Sequence, residues 1–196
     1  MVNTVTSLQS TLTLGRHGDQ GISNVVLQEI KDFDLFQFAA WENTVETVAN
    51  HAAQLIGSQT AINPRAVQSS GAGVVFRVEP LKWWLITPTG KLPLEPTLEV
   101  DQGVALNLLH SRSWIQVSGE KSATLLNQFL PIDLRLSAFP VGTAATTAFH
   151  HVGVTLWRGA DGFNLLIPRS FAASLCELLF ESAQQYGLSV QQPKSL

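Results

Sequence analysis

A switch in hydrophobic periodicity between residues 111 and 171 constrains the fold of this 196-residue chain more than any other sequence feature. From Trp114 to Ser118 apolar and polar side chains alternate with a period of two, which is typical of a half-buried β-strand. From Glu120 to Leu130 the apolar residues instead follow helical spacing, with Ser118 as the predicted N-cap. Pro131 ends this predicted helix, because the residue before a proline is disfavoured in the α region.

The residues that follow predict two strands, a long helix and a last strand. The predicted elements are, in order, strands at Ala144–Trp157 and Phe163–Ile167, a helix at Ser170–Tyr186 and a strand at Leu188–Gln192. We expect a break in the first strand near His150–Gly153, a hairpin turn at Asp161-Gly162 and a helix C-cap at Gly187. Phe171 and Leu178 are expected on the buried side of the helix. The order β-α-β-β-α-β is that of a split βαβ unit of the ferredoxin-like kind, which indicates an α+β fold.

The first half of the chain predicts fewer elements. They are a strand at Val25–Lys31, a helix at Trp41–Ile56 with Trp41 in its apolar stripe, a hairpin of Val74–Val78 and Trp83–Thr87, and a strand at Val104–Leu109. Gly57 is expected to end the helix in the left-handed region. The prolines Pro88, Pro93 and Pro96 leave little room for a second helix in the segment Pro88–Gln102.

Charged residues make up only 14% of the chain and hydrophobic residues make up 45%. The charged share is well below the roughly 25% usual for soluble domains. This composition indicates either an unusually apolar core or an apolar surface covered by a partner, since a large exposed apolar patch is a liability. The net charge is −3 and no two Lys or Arg residues are adjacent, which disfavours nucleic-acid binding.

We expect no membrane span, because no apolar stretch approaches the roughly 20 residues that a bilayer requires. The N-terminal sequence MVNTVTSLQST has neither the basic start nor the apolar core of a signal peptide. Cys176 is the only cysteine, so an internal disulfide cannot form. These features predict a cytoplasmic protein, where thiols stay reduced.

Catalytic and metal-binding patterns are missing from the sequence. His150 and His151 are adjacent and would point to opposite faces of a strand, so they cannot easily share a metal ion. The Ser-Gly pairs lack the context of a nucleophile elbow. Cys176 lies in an apolar helix, where burial would raise its pKa, and we interpret it as a core residue. We therefore assign no catalytic residue and no metal ligand.

Four other residues are candidates for partner contacts or structural roles. Trp83 and Trp84 must face opposite sides of a strand, so either one is in the core and the other meets a partner, or both pack within the chain. Asp133 follows a predicted helix, where a lone aspartate is usually a turn former that accepts backbone N–H bonds. Arg169 either anchors a carboxylate of a neighbouring subunit or is a surface residue beside a helix N-cap.

Five sequence segments, taken in order, resemble the gamma subunit of heterotetrameric sarcosine oxidase. They are RVEPLKWWLITPTG, HSRSWIQVSG, LPIDL, AFPVG and FNLLIPRSFAASL. That family is in turn similar to the tetrahydrofolate-binding domain of the glycine-cleavage T-protein. His110 and Arg112 match the family's His-x-Arg, whereas Asn107 and Leu109 stand where the family often has Asp and Ser. Ile132 replaces the Asn of an Asn-Asp pair that T-protein-like sequences carry near their folate site, which weakens any expectation that this chain itself holds folate.

The resemblance implies a single T-protein-like unit over residues 1–196, with halves of about 1–109 and 110–196. The family usually places a second helix where Pro88–Gln102 lies, so the first half is expected to be an incomplete copy of the second. The resemblance also implies a non-catalytic subunit that packs on the large subunit of an enzyme that converts sarcosine to glycine and transfers one carbon to tetrahydrofolate. FAD, FMN, NAD and tetrahydrofolate are then expected in the large and flavin-carrying partner subunits, and none in this chain.

Three other interpretations stay open from the sequence. A related complex, N-methylglutamate dehydrogenase, would contain a similar chain. A stand-alone folate-binding protein of the aminomethyltransferase kind would bind tetrahydrofolate by itself. A homo-oligomer of the same fold would cover the apolar surface with a second copy.

Overall fold

A computed structural model of the chain describes residues 8, 10–18, 21, 23–60 and 63–196. Most of the N-terminal segment that bears on the signal-peptide prediction lies outside these residues. The strands are β1 (Gly15–His17), β2 (Val25–Lys31), β3 (Phe33–Ala40), β4 (Gln68–Ser70), β5 (Gly73–Glu79), β6 (Lys82–Pro88), β7 (Gly103–Asn107), β8 (Arg112–Ser118), β9 (Ala144–Phe149), β10 (Val152–Gly159), β11 (Gly162–Pro168) and β12 (Leu188–Ser195). The α-helices are α1 (Val45–Gln54), α2 (Ser122–Leu126) and α3 (Ala172–Ala183).

The described residues divide into two compact units. Unit 1 comprises those of Met1–Lys31, His110–Val141 and Thr147–Lys194, and unit 2 comprises those of Asp32–Leu109, Gly142–Thr146 and Ser195–Leu196. Unit 1 contributes most of a seven-stranded sheet with the order β1-β12-β2-β8-β11-β10-β9. Strand β2, from the first half of the sequence, pairs with β8, from the second half. The sheet of unit 2 has five strands in the order β4-β5-β6-β3-β7.

The core of unit 2 lies between α1 and one face of its sheet. The buried residues of this cluster are Phe36, Phe38, Ala40, Val48, Ala49, Ala52, Ile56, Val75, Trp83 and Leu85. On β3 these residues are the even-numbered ones from Phe36 to Ala40, which the pleat turns to the same side. Gly57 follows α1 with a φ of 66°, so the predicted left-handed end of the helix is confirmed.

Most of the predicted strands are confirmed, including β2 at its predicted bounds and the hairpin of β5 and β6. Asp161 lies in a two-residue turn between β10 and β11, where Gly159 faces Gly162 across the ladder. Gly187, with a φ of 73°, follows the last turn after α3 as expected. Among the described residues, no helix lies between Pro88 and Gln102.

Four local predictions are wrong. The predicted strand Ala144–Trp157 is two antiparallel neighbours, β9 and β10, because the break expected near His150–Gly153 is present and is a full chain reversal at His150, whose φ is 52°. Helix α2 is only five residues long, and its N-cap is Lys121, since Ser118 stays in the ladder opposite Val26. Phe171 is 48% exposed, because a 3-10 turn at Arg169–Phe171 precedes α3 and moves it out of the helical register. Leu178 lies on the exposed side of the helix.

Trp41 is also misplaced by the sequence prediction. It stands before a 3-10 turn at Glu42–Thr44 rather than inside α1, and it is exposed instead of buried. The backbone N–H of Trp41 donates to Thr44 Oγ1 at 3.0 Å, which begins the turn one residue after the tryptophan. The apolar stripe of the helix therefore starts at Val45.

Candidate functional site

The two adjacent tryptophans of β6 are both buried in unit 2. Trp83 faces α1 and is 6% exposed, with the Arg77 guanidinium 5.3 Å from its ring centroid. Trp84 points to the opposite face and is 5% exposed, and its Nε1 donates to Gln37 Oε1 at 3.1 Å. The structure therefore matches the alternative in which both indoles pack within the chain.

A cavity of about 430 Å³ lies beside Trp83 in unit 2. Its lining includes Glu46, Asn50, Asn63, Gln68 and Arg77. Several of these polar groups are already engaged: Asn50 Oδ1 accepts from Thr60 Oγ1 at 2.6 Å, and Asn63 Oδ1 accepts from the Arg65 amide at 2.9 Å. This lining can hold a small polar molecule, but it does not pair a nucleophile with a base.

Arg77 in the same cavity is held by its own hairpin. Its Nε donates to the Glu79 carbonyl at 3.3 Å, and its Nη2 donates to the Pro80 carbonyl. Its guanidinium also lies over the Trp83 ring, which favours a cation by cation–π attraction. These contacts give Arg77 a structural role in the β5–β6 turn.

His110, Arg112 and Arg169 lie close to one end of two paired strands in unit 1. Arg112 begins β8 opposite Pro168, and Arg169 follows directly, with its backbone N–H donating to the Ser111 carbonyl at 3.0 Å. The Arg112 guanidinium is half-buried, so desolvation lowers its pKa, and its Nη1 donates to the Ser111 carbonyl at 3.2 Å. His110 and Arg169 are exposed. A role for these three residues at a partner interface stays a prediction.

Asp133 closes a local turn, as the sequence predicted for a lone aspartate in this position. Its Oδ1 accepts the backbone N–H of Arg135 at 3.0 Å. The Arg135 guanidinium also binds both carboxylate oxygens, with Nε 3.0 Å from Oδ1 and Nη2 2.5 Å from Oδ2. These hydrogen bonds lower the pKa of Asp133 to about 2. The carboxylate is thus fixed as an anion by its own loop.

Cys176 is buried and His150 is exposed, so these two side chains lie in different environments. Burial raises the pKa of the Cys176 thiol to about 12, and the nearby Glu29 charge adds to the effect, so the nucleophilic thiolate is suppressed. His150 is at the tip of the β9–β10 hairpin, with its ring edge-on to Phe129 and Phe149. In the part of the chain that the structure describes, no three His, Cys, Asp or Glu residues are grouped as a metal site requires.

Unit 2 has an exposed apolar surface whose residues were not identified from the sequence. We call it the Trp41 surface, and it consists of Trp41, Val100, Val104 and Leu106, all of them exposed. The register of β3 and β7 places Val104 and Leu106 on the same side of the edge strand. The spacing of Val104 and Leu106 in the sequence indicates that they share one face of a strand, but it does not indicate that this strand lies at the edge of the sheet.

Comparisons with known proteins agree with the resemblance found in the sequence. The chain is 28% identical over 153 residues to the sarcosine oxidase subunit gamma of Arthrobacter sp, which covers 75% of this chain and 73% of that protein. It is 26% identical over 166 residues to the sarcosine oxidase subunit gamma of Corynebacterium sp. (strain U-96), covering 83% of this chain and 80% of that protein. No protein-family model matches the chain.

Two solved structures share the fold. A chain of the heterotetrameric sarcosine oxidase from Corynebacterium sp. U-96 has a TM-score of 0.70 at 23% identity, covering 87% of this chain and 88% of that one. The glycine cleavage system aminomethyltransferase T from Bartonella henselae has a TM-score of 0.58 at 17% identity, covering 87% of this chain but 48% of that one. The part of the chain that the structure describes contains no helix that could span a membrane. The resemblance is therefore confirmed: this chain is similar to the gamma subunits of sarcosine oxidase over most of its length, and it has a mixed α/β fold similar to chains of that enzyme and of the T-protein.

Proposed function

We propose that this chain is the non-catalytic gamma subunit of a heterotetrameric sarcosine oxidase. The observation that carries the proposal is its similarity to two proteins named as gamma subunits, over about three quarters or more of both lengths. In the proposed complex the oxidative demethylation of sarcosine to glycine takes place on other subunits, and one carbon passes to tetrahydrofolate there. The chain packs on the large subunit and contributes a folded surface.

The side chains of the described residues support a role without chemistry. The groups whose pKa is shifted are Arg112, Asp133, Arg135 and Cys176. Perturbed pKa values indicate a functional site when the groups lie in a cleft, whereas structural ion pairs also shift pKa values. Here Asp133 and Arg135 bind each other in one loop, and Cys176 is buried. FAD, FMN, NAD and tetrahydrofolate are accordingly assigned to the large and flavin-carrying subunits.

The fold is proposed to contain two diverged copies of a split βαβ unit, with the first copy lacking its second helix. Each copy corresponds to about half of a T-protein-like unit over residues 1–196. The run of β8, α2, β9, β10, β11, α3 and β12 has the element order that such a unit requires, apart from the extra reversal at His150. The complex is assigned to the cytoplasm.

Reconstitution tests the function. The chain is co-expressed with the large and flavin-carrying subunits of the same organism, and hydrogen peroxide formation from sarcosine is measured for the purified complex and for the chain alone. We expect the chain to co-purify with the large subunit, activity in the complex, and none in the chain alone. Turnover of sarcosine by the isolated chain, or its failure to co-purify, would contradict the proposal.

A tetrahydrofolate titration separates the proposal from the stand-alone alternative. The aminomethyltransferase neighbour is matched over only 48% of its own chain. We expect no heat of binding when tetrahydrofolate is titrated into the isolated chain at high micromolar concentration. Saturable binding with one site per chain would favour the folate-binding alternative.

A further inference from the structure

Hydrogen bonds within the chain hold the Trp41 surface in a fixed geometry. The Trp41 indole Nε1 donates to the Val100 carbonyl at 2.9 Å, which joins the tryptophan to the segment before β7. Thr44 Oγ1 donates to the Gln102 carbonyl at 2.5 Å, which is a second hydrogen bond between the turn after Trp41 and the segment before β7. A half-exposed tryptophan with a fixed indole loses little conformational entropy on docking, which is a property of interface anchors.

Beside this tryptophan lies a concave apolar site. A cavity of about 310 Å³ is lined by Trp41, Leu98, Val100, Val104 and Ala105, among others. Trp41 is 47% exposed and Val100 is 88% exposed, so both are open to solvent in the free chain. Val104 extends the cavity along β7 towards Leu106. The Trp41 surface therefore combines a fixed aromatic ring, a recess and an apolar strand.

Strand β7 also offers free backbone groups along its outer edge. The Trp41 amide binds the Gln102 carbonyl and the Leu108 amide binds the Leu35 carbonyl, so the even-numbered residues of β7 pair with β3. Antiparallel pairs alternate, and the amides of Ala105 and Asn107 therefore point away from the sheet. Among the described strands β7 is the last in the order of unit 2, so no described strand pairs with these amides.

The sequence of β7 lacks the features that usually protect an edge. It reads Gly-Val-Ala-Leu-Asn, with no charge and no proline. The opposite edge, β4, is a polar strand of three residues, and the edge strand β1 contains Arg16 and His17. Long or apolar unprotected edges pair readily with other chains, so this edge is suited to being covered.

Charge around the Trp41 surface indicates which kind of chain covers it. Glu42 follows Trp41 directly, and Glu99 and Asp101 flank Val100; all three are exposed. In the described part of the chain, none of these carboxylates is in a salt bridge. A second copy would bring one acidic rim against another, which costs free energy, whereas a partner with Lys or Arg beside an apolar segment is complementary.

We propose that the Trp41 surface binds an extended apolar segment of the large subunit, flanked by Lys or Arg, which adds as a strand to the edge of β7. This inference rests on the proposed function and names the surface through which the gamma-type chain joins the complex. The added strand hydrogen-bonds to the outward groups of Ala105 and Asn107, and its side chains pack on Trp41 and Val104. This is the β-augmentation mode of recognition.

The test measures the affinity of the full-length chain for the large subunit of the same organism. Trp41→Ala removes the anchor, and Ala105→Pro removes the outward amide from an edge position that tolerates proline. Ala105→Ser keeps the amide and is the matched control, and Leu136→Ala removes an exposed apolar side chain of unit 1. Thermal melts of each variant establish that it is folded, and if Ala105→Pro does not fold, Trp41→Ala and the charge reversal below carry the test.

We expect Trp41→Ala and Ala105→Pro each to weaken binding by about tenfold or more, and both controls to stay within about twofold of wild type. The double charge reversal Glu99→Lys with Asp101→Lys is expected to slow association and to reduce its dependence on salt.

Three results would overturn the inference, and they differ in what they imply. Wild-type binding that no variant weakens would remove the Trp41 surface as the interface and leave the proposed function in place. A wild-type chain that does not bind the large subunit would remove both. A stable homodimer of the isolated chain that Trp41→Ala dissociates would make a second copy the occupant.

Discussion

Each of the two units contains a buried tryptophan whose indole donates to an amide side chain on a neighbouring strand. In unit 1 the Trp114 Nε1 donates to Asn164 Oδ1 at 3.0 Å, and both residues are buried. In unit 2 the Trp84 Nε1 donates to Gln37 Oε1 at 3.1 Å, but Gln37 is only half-buried. The hydrogen bond is thus buried in unit 1 and only partly buried in unit 2.

The surroundings of the two indoles differ in the same direction. Trp114 packs against Trp157 with ring centroids 4.9 Å apart, and Asn164 Oδ1 also accepts from Gln116 Nε2 at 3.4 Å. Trp84 has a more distant aromatic neighbour, Phe76, at 6.4 Å. A buried polar group that loses its hydrogen-bond partner cannot bind water instead. The comparison therefore predicts that this hydrogen bond contributes more to the free energy of unfolding in unit 1 than in unit 2.

The largest expected effect is that of truncating the buried indole of unit 1. Trp114→Ala removes a large core side chain and its hydrogen bond, and we expect it to lower the free energy of unfolding by about 3–5 kcal/mol. The control, Trp41→Ala, removes a half-exposed ring and one hydrogen bond, with an expected loss of about 1 kcal/mol. Chemical denaturation followed by circular dichroism measures both. Equal losses would contradict the assignment of Trp114 to the core and Trp41 to the surface.

A smaller effect is expected from removing the acceptors, and it tests the comparison directly. Asn164→Ala leaves the Trp114 N–H buried without its partner, at a cost of about 1–3 kcal/mol. Gln37→Ala removes an acceptor that is only half-buried, so water can take its place more easily and we expect a loss of about 1 kcal/mol or less. Denaturant midpoints of the two variants give the difference. If Gln37→Ala and Asn164→Ala lower the free energy of unfolding equally, the two hydrogen bonds are equally shielded from water and the comparison is wrong.

The smallest effect is expected at a hydrogen bond that is fully open to water. Arg135 lowers the pKa of Asp133 to about 2, so the stabilisation from this pair is present above the ordinary aspartate pKa of about 3.9 and is lost as the pH falls through 2. Near neutral pH, Arg135→Ala should leave the thermal melt almost unchanged, since exposed pairs contribute little. Carbon NMR of the Asp133 carboxyl should show its pKa rising to the ordinary value in this variant. Arg135→Lys, which keeps the charge without the planar fork, should give an intermediate pKa; an unchanged low pKa in Arg135→Ala would rule out Arg135 as the cause.

Hairpins were predictable from the sequence because local residues specify them. Two apolar runs joined by a short turn specify the hairpin of β5 and β6, and the Asp161-Gly162 pair marks the hairpin of β10 and β11; the structure has both hairpins, with Gly162 as the first residue of β11. β3 was harder to predict, because Phe33, Leu35, Phe36 and Phe38 are apolar on both faces of the strand and leave no alternation to detect. The pairing of β2 with β8 depends on contacts far apart in sequence, which local patterns do not contain.

The candidate site was only partly accessible from the sequence. The turn role of Asp133 and the burial of Cys176 follow from local context, and both were predicted. Trp41 was placed in the helical stripe because its spacing to Val45 fits a helix, but the Thr44 hydroxyl begins a tighter turn and leaves the indole outside. That β7 is an edge strand depends on the order of all five strands of the sheet, and no single segment encodes this order.

The lone thiol of the chain has a practical consequence. Cys176 is completely buried in α3, and its pKa of about 12 makes it inert while that helix is in place. Any alkylation of the native protein must then pass through a transient opening that exposes the helix, so the labelling rate reports the free energy of that opening. Cys176 is therefore an intrinsic probe of local unfolding, and its alkylation rate can be measured in the free chain and again after assembly.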